Sequence, residues 1–302
     1  MKVIILGGGN SPEREVSLRS ASAVADAARK AGFDVQEEDP ADGLGFLDDL
    51  GKSDVVLPIL HGKGGEDGLI QKEFEDRNLI FLGSGSSSSA RCFDKWLTRQ
   101  DLLKSELPIP EGALVTHETY RQHEFSQKPH VLKVARGGSS IGTLIVRDSR
   151  RVTELEVVEI FKLDRQAVLE ELIVGTELTV PILDQKALTP IEIKPPDGLE
   201  FNYENKYNGA TAELCPPASV SQEVQDRAKL LAEQVHQVMK CRHLSRIDMI
   251  VDKAGDIKIL EINTMPGLTG QSLYPKSAAV AGLDMSQLVT RFVELATRDG
   301  SA

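Results

Sequence analysis

The chain has no run of 18 apolar residues, the minimum for a helix that spans a membrane. Its opening stretch, MKVIILGGGN, turns polar too early for a secretory leader, so the expectation is a cytoplasmic protein. Positive charge is in short supply: 46 Asp and Glu face 35 Lys and Arg, a formal net charge of −11. That balance argues against nucleic acid or a membrane surface as a partner. Cysteine is scarce as well. Cys92, Cys215 and Cys241 are odd in number, far apart in sequence and without metal-ligand spacing, which reads as three free thiols, none catalytic. Internal repeats are absent, and the only low-complexity stretch is the serine run GSGSSSSA at 83–90.

What is present describes a globular protein of 302 residues, 40% hydrophobic and 27% charged, large enough for two or three domains. VIIL, then GGG, then helical periodicity over about 16–31 predict a strand, a turn and a helix; DVVLPIL and LIFLG (79–83) add buried strands. This alternation predicts an open α/β sheet that ends in the serine run. Over 86–170, a helix at 93–105, the segments LPIPEGALV and HVLKVARGGSSIGTLIV, and a second helix near 150–162 predict a small α+β lid. A third region begins at AVLEELIVGTELTVPIL and contains a long helix over 221–239 and an amphipathic one over 284–297. The expected domains are therefore 1–85, 86–170 and 171–302.

RIDMIVD (246–252) and IKILEIN (257–263) read as a hairpin joined by KAGD. A four-residue loop pairs Asp252 with Ile257, and counting back sets Asp248 opposite Glu261 and Arg246 opposite Asn263. These four polar side chains then share one face, while Ile247, Met249, Val251, Leu260 and Ile262 face a core. Two carboxylates at about 5 Å repel by roughly 3 kcal/mol at an effective dielectric of 20. A divalent cation would reverse the sign. Two carboxylates and an amide oxygen are hard ligands suited to Mg²⁺ or Mn²⁺, although a solvated acidic face with an Arg-Asp pair is the commoner outcome for such a hairpin taken alone.

Further segments accompany the hairpin: GGGNSPEREVSLRSA (7–21), HGKGGEDG (61–68), GSGSSSSARCFDKWLT (83–98), GGSSIG (137–142), NYENKY (202–207) and LEINTMPGLTGQSLYP (260–275). In this order and spacing they resemble the D-alanine-D-alanine ligases of the ATP-grasp superfamily over nearly the whole chain. The resemblance implies a three-domain ATP-grasp architecture, with an N-terminal open α/β sheet, a central lid and a C-terminal catalytic domain. It also implies a homodimer that joins two D-alanines for peptidoglycan synthesis through an acyl phosphate, at the expense of ATP, with two Mg²⁺ or Mn²⁺ ions.

By the same resemblance, Lys95, Lys133, Ser139, Ser140 and Lys206 contact the nucleotide phosphates. Glu170 and the backbone at Leu172 and Ile173 read adenine, and Glu177 binds ribose. The implied metal ligands are Asp248, Glu261 and Asn263, the set the hairpin count brings together. Glu13 would hold the first D-alanine's ammonium, tied to Ser139 and Tyr207, with His61 near its carboxylate. Ser272 and Leu273, which open a helix, match the positions that bind the second D-alanine's carboxylate, and a helix N-terminus suits an anion. Arg246 and the Gly267 N–H would form the oxyanion site, and the loop over 200–215 would close to exclude water.

Three positions depart from the family pattern: Gly137, usually acidic; Val134, commonly proline; and Glu171, frequently lysine. Tyr207 argues against relatives that form depsipeptides. The alternative within enzymes is a ligase that uses D-lactate or D-serine as second substrate. An oxidoreductase suggested by VIILGGGN is disfavoured because G-x-G-x-x-G spacing is absent.

Overall fold

The computed structural model describes residues 1–138, 141–194 and 211–300. Strand β1 (Lys2–Leu6) is central in a parallel sheet of order β2-β1-β3-β4, with β2 (Asp34–Glu38), β3 (Val55–Pro58) and β4 (Ile80–Phe81). Val3 to Leu6 are fully buried, the continuous apolar run of a strand covered on both faces. Helices α1 (Arg14–Lys30) and α2 (Leu69–Asp76) connect the strands. The N–H groups of Gly8 and Gly9 donate to Ser17 Oγ and Asp39 Oδ1, each at 2.9 Å. The loop after β1 thus spends these donors internally, where a dinucleotide-binding loop would present them to pyrophosphate.

The serine run is where local propensity misleads. It is predicted as a domain-ending loop, yet most of it forms helix α3 (Ser86–Phe93). The Ser86 N–H and hydroxyl both donate to the Glu75 carboxylate, the former at 2.7 Å, which satisfies the helix start. Ser88 and Ser89 are buried, and Ser88 Oγ donates to the Met239 carbonyl at 2.7 Å. Small side chains allow α2 and α3 to approach closely. The helix predicted over 93–105 is the adjacent α4 (Lys95–Lys104), turned at Asp94, whose carboxylate accepts from the Trp96 and Leu97 N–H groups at 3.0 Å.

An antiparallel sheet of order β5-β8-β6-β7 follows, built from β5 (Gly112–Val115), β6 (His130–Val134), β7 (Thr143–Val146) and β8 (Ala167–Glu171). Helices α5 (His117–Tyr120) and α6 (Glu154–Leu163) cover it. The third sheet has the order β12-β11-β9-β13-β14, with β10 paired to β9. Its strands are β9 (Gly175–Leu183), β10 (Lys186–Ala187), β11 (Ile191–Lys194), β12 (Ala212–Leu214), β13 (Leu244–Asp252) and β14 (Ile257–Asn263). The long helix α7 (Gln222–Val238) packs on it. After α8 (Leu273–Val280), the last helix, α9 (Met285–Gly300), returns to the first sheet, where Leu288, Phe292 and Leu295 join Val3, Ile5 and Leu57 in one core.

The β13–β14 hairpin pairs Arg246 with Asn263 and Asp248 with Glu261, as counted from the sequence. The count errs nearer the turn. Val251, rather than Asp252, pairs with Ile257, and a bulge restores the register between Met249–Ile259 and Asp248–Glu261. Leu260, the extra residue, faces the site instead of the predicted core, and Ile259 is buried in its place. A turn longer by one residue and a one-residue bulge cancel, so the polar face stays aligned.

Candidate active site

Two cavities meet where the three sheets converge. One, of about 840 Å³, lies against the loops of the first sheet and the segment between β14 and α8. The other, of about 300 Å³, lies between the second and third sheets. Lys95, Gly138 and Glu261 line both. A molecule in either cavity therefore reaches the same pair of opposite charges.

The smaller cavity collects Lys133, Glu170, Leu172, Ile173, Glu177 and Asp248. Lys133 Nζ is 2.8 Å from Glu170 Oε2. Burial opposes the lysine's charge, but the nearby Glu170 and Glu261 hold its pKa above the ordinary value. Lys95 Nζ donates to the Gly137 carbonyl at 2.6 Å, and desolvation pulls its pKa down against the attraction of Glu261. The Leu172 N–H is directed to the Pro129 carbonyl at 3.4 Å. Arg99, which the sequence gave no reason to single out, lies buried 3.6 Å from Glu170.

Asp248 is buried and held on three sides: Arg246 Nε and Nη2 donate to it at 2.9 and 2.7 Å, and Thr179 Oγ1 donates at 2.5 Å. This bidentate fork turns the carboxylate to the smaller cavity, while Arg246 itself lines the larger. Asn263 Oδ1 accepts the Met265 N–H at 3.0 Å, fixing the start of the turn toward Gly267. Asp248, Glu261 and Asn263 offer hard oxygen donors from one strand pair, which fits a hard divalent cation. No cluster of three or more His, Cys, Asp or Glu side chains suited to a metal occurs among the described residues.

In the larger cavity, Glu13 sits at the start of α1, yet its side chain makes no capping hydrogen bond. Its Oε2 abuts Gly62 and Gly138: a Cβ on either glycine would come within 2.4 or 2.8 Å of it. Gly62, at φ +71, also donates its N–H to Glu66 Oε2 at 2.8 Å. Two buried carboxylates thus share one glycine. Burial and then the Glu13 charge push the Glu66 carboxyl up to about 8. His61 lies alongside, its Nδ1–H donating to the Met265 carbonyl at 3.1 Å and its Nε2 3.4 Å from Ser20 Oγ. Burial lowers its pKa to about 4, so the ring is neutral at pH 7.

At the far end, Ser272 holds the N-cap position of α8 but its side chain does not bond to the helix's N–H groups; its Oγ instead contacts the Thr269 N–H and hydroxyl at 3.1 and 2.8 Å. Gly267 lies beside it: a Cβ there would stand 3.0 Å from Ser272 Oγ. Leu273 lines the same wall. Lys276, one turn into α8, forms an ion pair with Glu213 on β12.

Comparison with known proteins shows the family to which the chain belongs. Residues 105–294 match the family model described as D-ala D-ala ligase C-terminus. The D-alanine-D-alanine ligase of Syntrophobacter fumaroxidans is 40% identical over 99% of this chain and 98% of its own. That of Actinobacillus succinogenes is 37% identical over 97% of each. The chain belongs to the D-alanine-D-alanine ligase family. A crystal structure of a D-alanine-D-alanine ligase from Bacillus anthracis complexed with ATP, 27% identical, superposes with a TM-score of 0.84 over 100% of this chain and 99% of that one.

Of the residues that the ligase family implies, the structure gathers Glu13, His61, Arg246, Asn263, Gly267, Ser272 and Leu273 around the larger cavity. Lys133, Glu170, Leu172, Ile173, Glu177 and Asp248 surround the smaller, and Lys95 and Glu261 serve both. Ser139, Ser140, Lys206 and Tyr207 lie outside the described residues. The sequence reading missed Glu66, Arg99 and Lys276. Glu66 stands within the quoted HGKGGEDG motif, but nothing in a polar loop announces burial.

The structure also accounts for two departures from the ligase pattern. A Cβ on Gly137 would stand 2.9 Å from Val134 Cγ2, and one on Gly142 would meet Val134 Cγ1 at 2.6 Å. Val134 thus fills the space that a side chain at 137 would need. Gly137→Ala should cost about 1 to 3 kcal/mol alone and much less in a Val134→Ala background. Chemical denaturation of both single variants and the double variant measures that coupling; additive effects would refute it.

Proposed function

We propose that this protein joins two D-alanines into D-alanyl-D-alanine with conversion of ATP to ADP, supplying a peptidoglycan precursor. The observation that carries this reading is the common wall of the two cavities. ATP in the smaller cavity places its terminal phosphate at Lys95 and Glu261, where the carboxylate of an amino acid in the larger cavity also arrives. Proximity of these two anions is what a phosphoryl transfer to a carboxylate requires.

In this reading Lys95 and Lys133 offset phosphate charge, and Glu170 and Glu177 orient the base and ribose. Asp248, Glu261 and Asn263 would hold Mg²⁺ or Mn²⁺, two ions in all, which when bound neutralise charge on the transferring phosphoryl group. Glu13 takes the first D-alanine's ammonium, and neutral His61 lies near its carboxylate. Arg246 and the Gly267 N–H receive the oxyanion formed when the second amine attacks the acyl phosphate. Ser272 and the amides opening α8 hold the second carboxylate. The protein acts in the cytoplasm as a homodimer; no helix among the described residues is long and apolar enough to cross a membrane.

The test is ADP release with ATP and a single amino acid. D-Alanine alone is expected to support the full rate and yield the dipeptide, and added D-lactate or D-serine to contribute little mixed product. A rate that stays near zero until either is added would transfer the assignment to the depsipeptide or D-serine class.

A further inference from the structure

The three cysteines, far apart in sequence, are free, yet two of them meet in space: Cys92 Sγ and Cys241 Sγ are 3.8 Å apart, both buried. Cys92 lies in the last turn of α3 and lines the larger cavity. Cys241 lies in the link after α7, where Lys240 and His243 adopt left-handed backbone conformations. Ser88 Oγ, on the same helix as Cys92, is 3.6 Å from Cys241 Sγ. The sulfurs are in van der Waals contact and need to close by about 2 Å to bond.

We propose that Cys92 and Cys241 form a reversible disulfide on exposure to a peroxide, and that this bond switches off the site through Lys95. The chemistry needs one oxidant, hydrogen peroxide. The thiolate of one cysteine attacks a peroxide oxygen and becomes a sulfenic acid; the hydroxide it expels takes up the proton the thiol had lost and leaves as water. The second thiol then attacks the sulfenic sulfur, expelling a second water and leaving the disulfide. Hydrogen bonds from Cys92 and then Ser88 hold the Cys241 thiol below its ordinary pKa, whereas the Cys241 contact and burial raise Cys92. The peroxide has a route to the pair, because the cavity wall includes Cys92.

The consequence follows from chain connectivity. Three residues after Cys92 comes Lys95, whose N–H donates to the Ala135 carbonyl at 2.8 Å and whose Nζ reaches Gly137. Between them, the hydrogen bond that closes α3, from the Asp94 N–H to the Ala90 carbonyl, is long at 3.3 Å. Drawing Cys92 toward Cys241 therefore moves the α3–α4 corner and the lysine shared by both cavities. A displacement near 1 Å at such a group costs up to about 10²-fold in rate.

The experiment treats the reduced full-length protein with hydrogen peroxide, then maps its peptides by mass and assays ADP formation before and after dithiothreitol. The expected result is a peptide linking Cys92 to Cys241, at least roughly a tenfold loss of activity, recovery on reduction, and Cys241→Ser retaining its activity through the same exposure. Absence of the linked peptide, a linked protein of undiminished activity, or Cys241→Ser inactivated as fast as native protein would each overturn the proposal. The mass measurement stands without the ligase reading, on which only the activity readout rests, so failure of one is distinguishable from failure of the other.

Discussion

Replacing Glu261 by alanine is expected to lower ADP formation by about three orders of magnitude, roughly 4 kcal/mol of transition-state stabilisation. Glu261 lies on the wall common to both cavities, opposite Asp248, and within the electrostatic reach of Lys95 and Lys133. Its removal deletes a hard oxygen donor and one of the carboxylates that offset the Lys95 and Lys133 charges, with Glu170 left as the remaining partner of Lys133, so both the metal and the phosphate are misplaced. The fold should tolerate the change, because Glu261 is only half-buried and the core side of its strand is formed by Ile257, Ile259 and Ile262. ADP release at saturating ATP and D-alanine, beside a thermal melt, tests both halves. Activity above about a tenth of native would remove Glu261 from the site.

The converging polar face of the hairpin was legible because strand alternation has a period of two, and four polar residues break it on one side only. The bulge at Leu260 was not legible, since turn length and bulge compensate and leave the same sum of paired positions. The serine run failed for a different reason. Serine has no strong helical preference, so the sequence between two small-residue stretches looks like a loop until Glu75 and α2 supply the cap and the close packing. Site residues legible through the family motifs are mostly groups that reach into a cavity from strands and helix starts. Those missed, Glu66, Arg99 and Lys276, are defined by what surrounds them in space, and a charged residue in a polar stretch carries no mark of burial.

The same contrast between local chemistry and burial predicts an unusual pH response. Native stability should fall by about 3 kcal/mol between pH 7 and 5, and Glu66→Gln should be more stable than native by about 3 kcal/mol at pH 7 but nearly equal to it at pH 5. His61, His236 and His243 are buried, and burial lowers each to about 4 from 6.5. Between those values the unfolded chain binds more protons, so stability is lost as pH falls, about 2 kcal/mol per histidine by pH 5. Local bonding resists protonation: His243 Nδ1 accepts the Gly83 N–H at 2.9 Å, and that acceptor vanishes when the ring gains a proton. Glu66 has the opposite sign. Raised from 4.5 to about 8, it binds a proton in the folded state over that window, so its penalty grows as pH rises and is relieved on acidification. Glutamine keeps an acceptor for the Gly62 N–H and is neutral in both states, so folding no longer has to protonate an ionised carboxylate; that lifts stability at neutral pH and unmasks the full histidine slope below it. Urea denaturation of native and Glu66→Gln protein at pH 7 and 5 measures all four values. A variant no more stable than native at pH 7 would show that Glu66 does not take up a proton on folding, and would overturn burial and the crowding of Glu13 and Glu66 as the causes of its raised pKa.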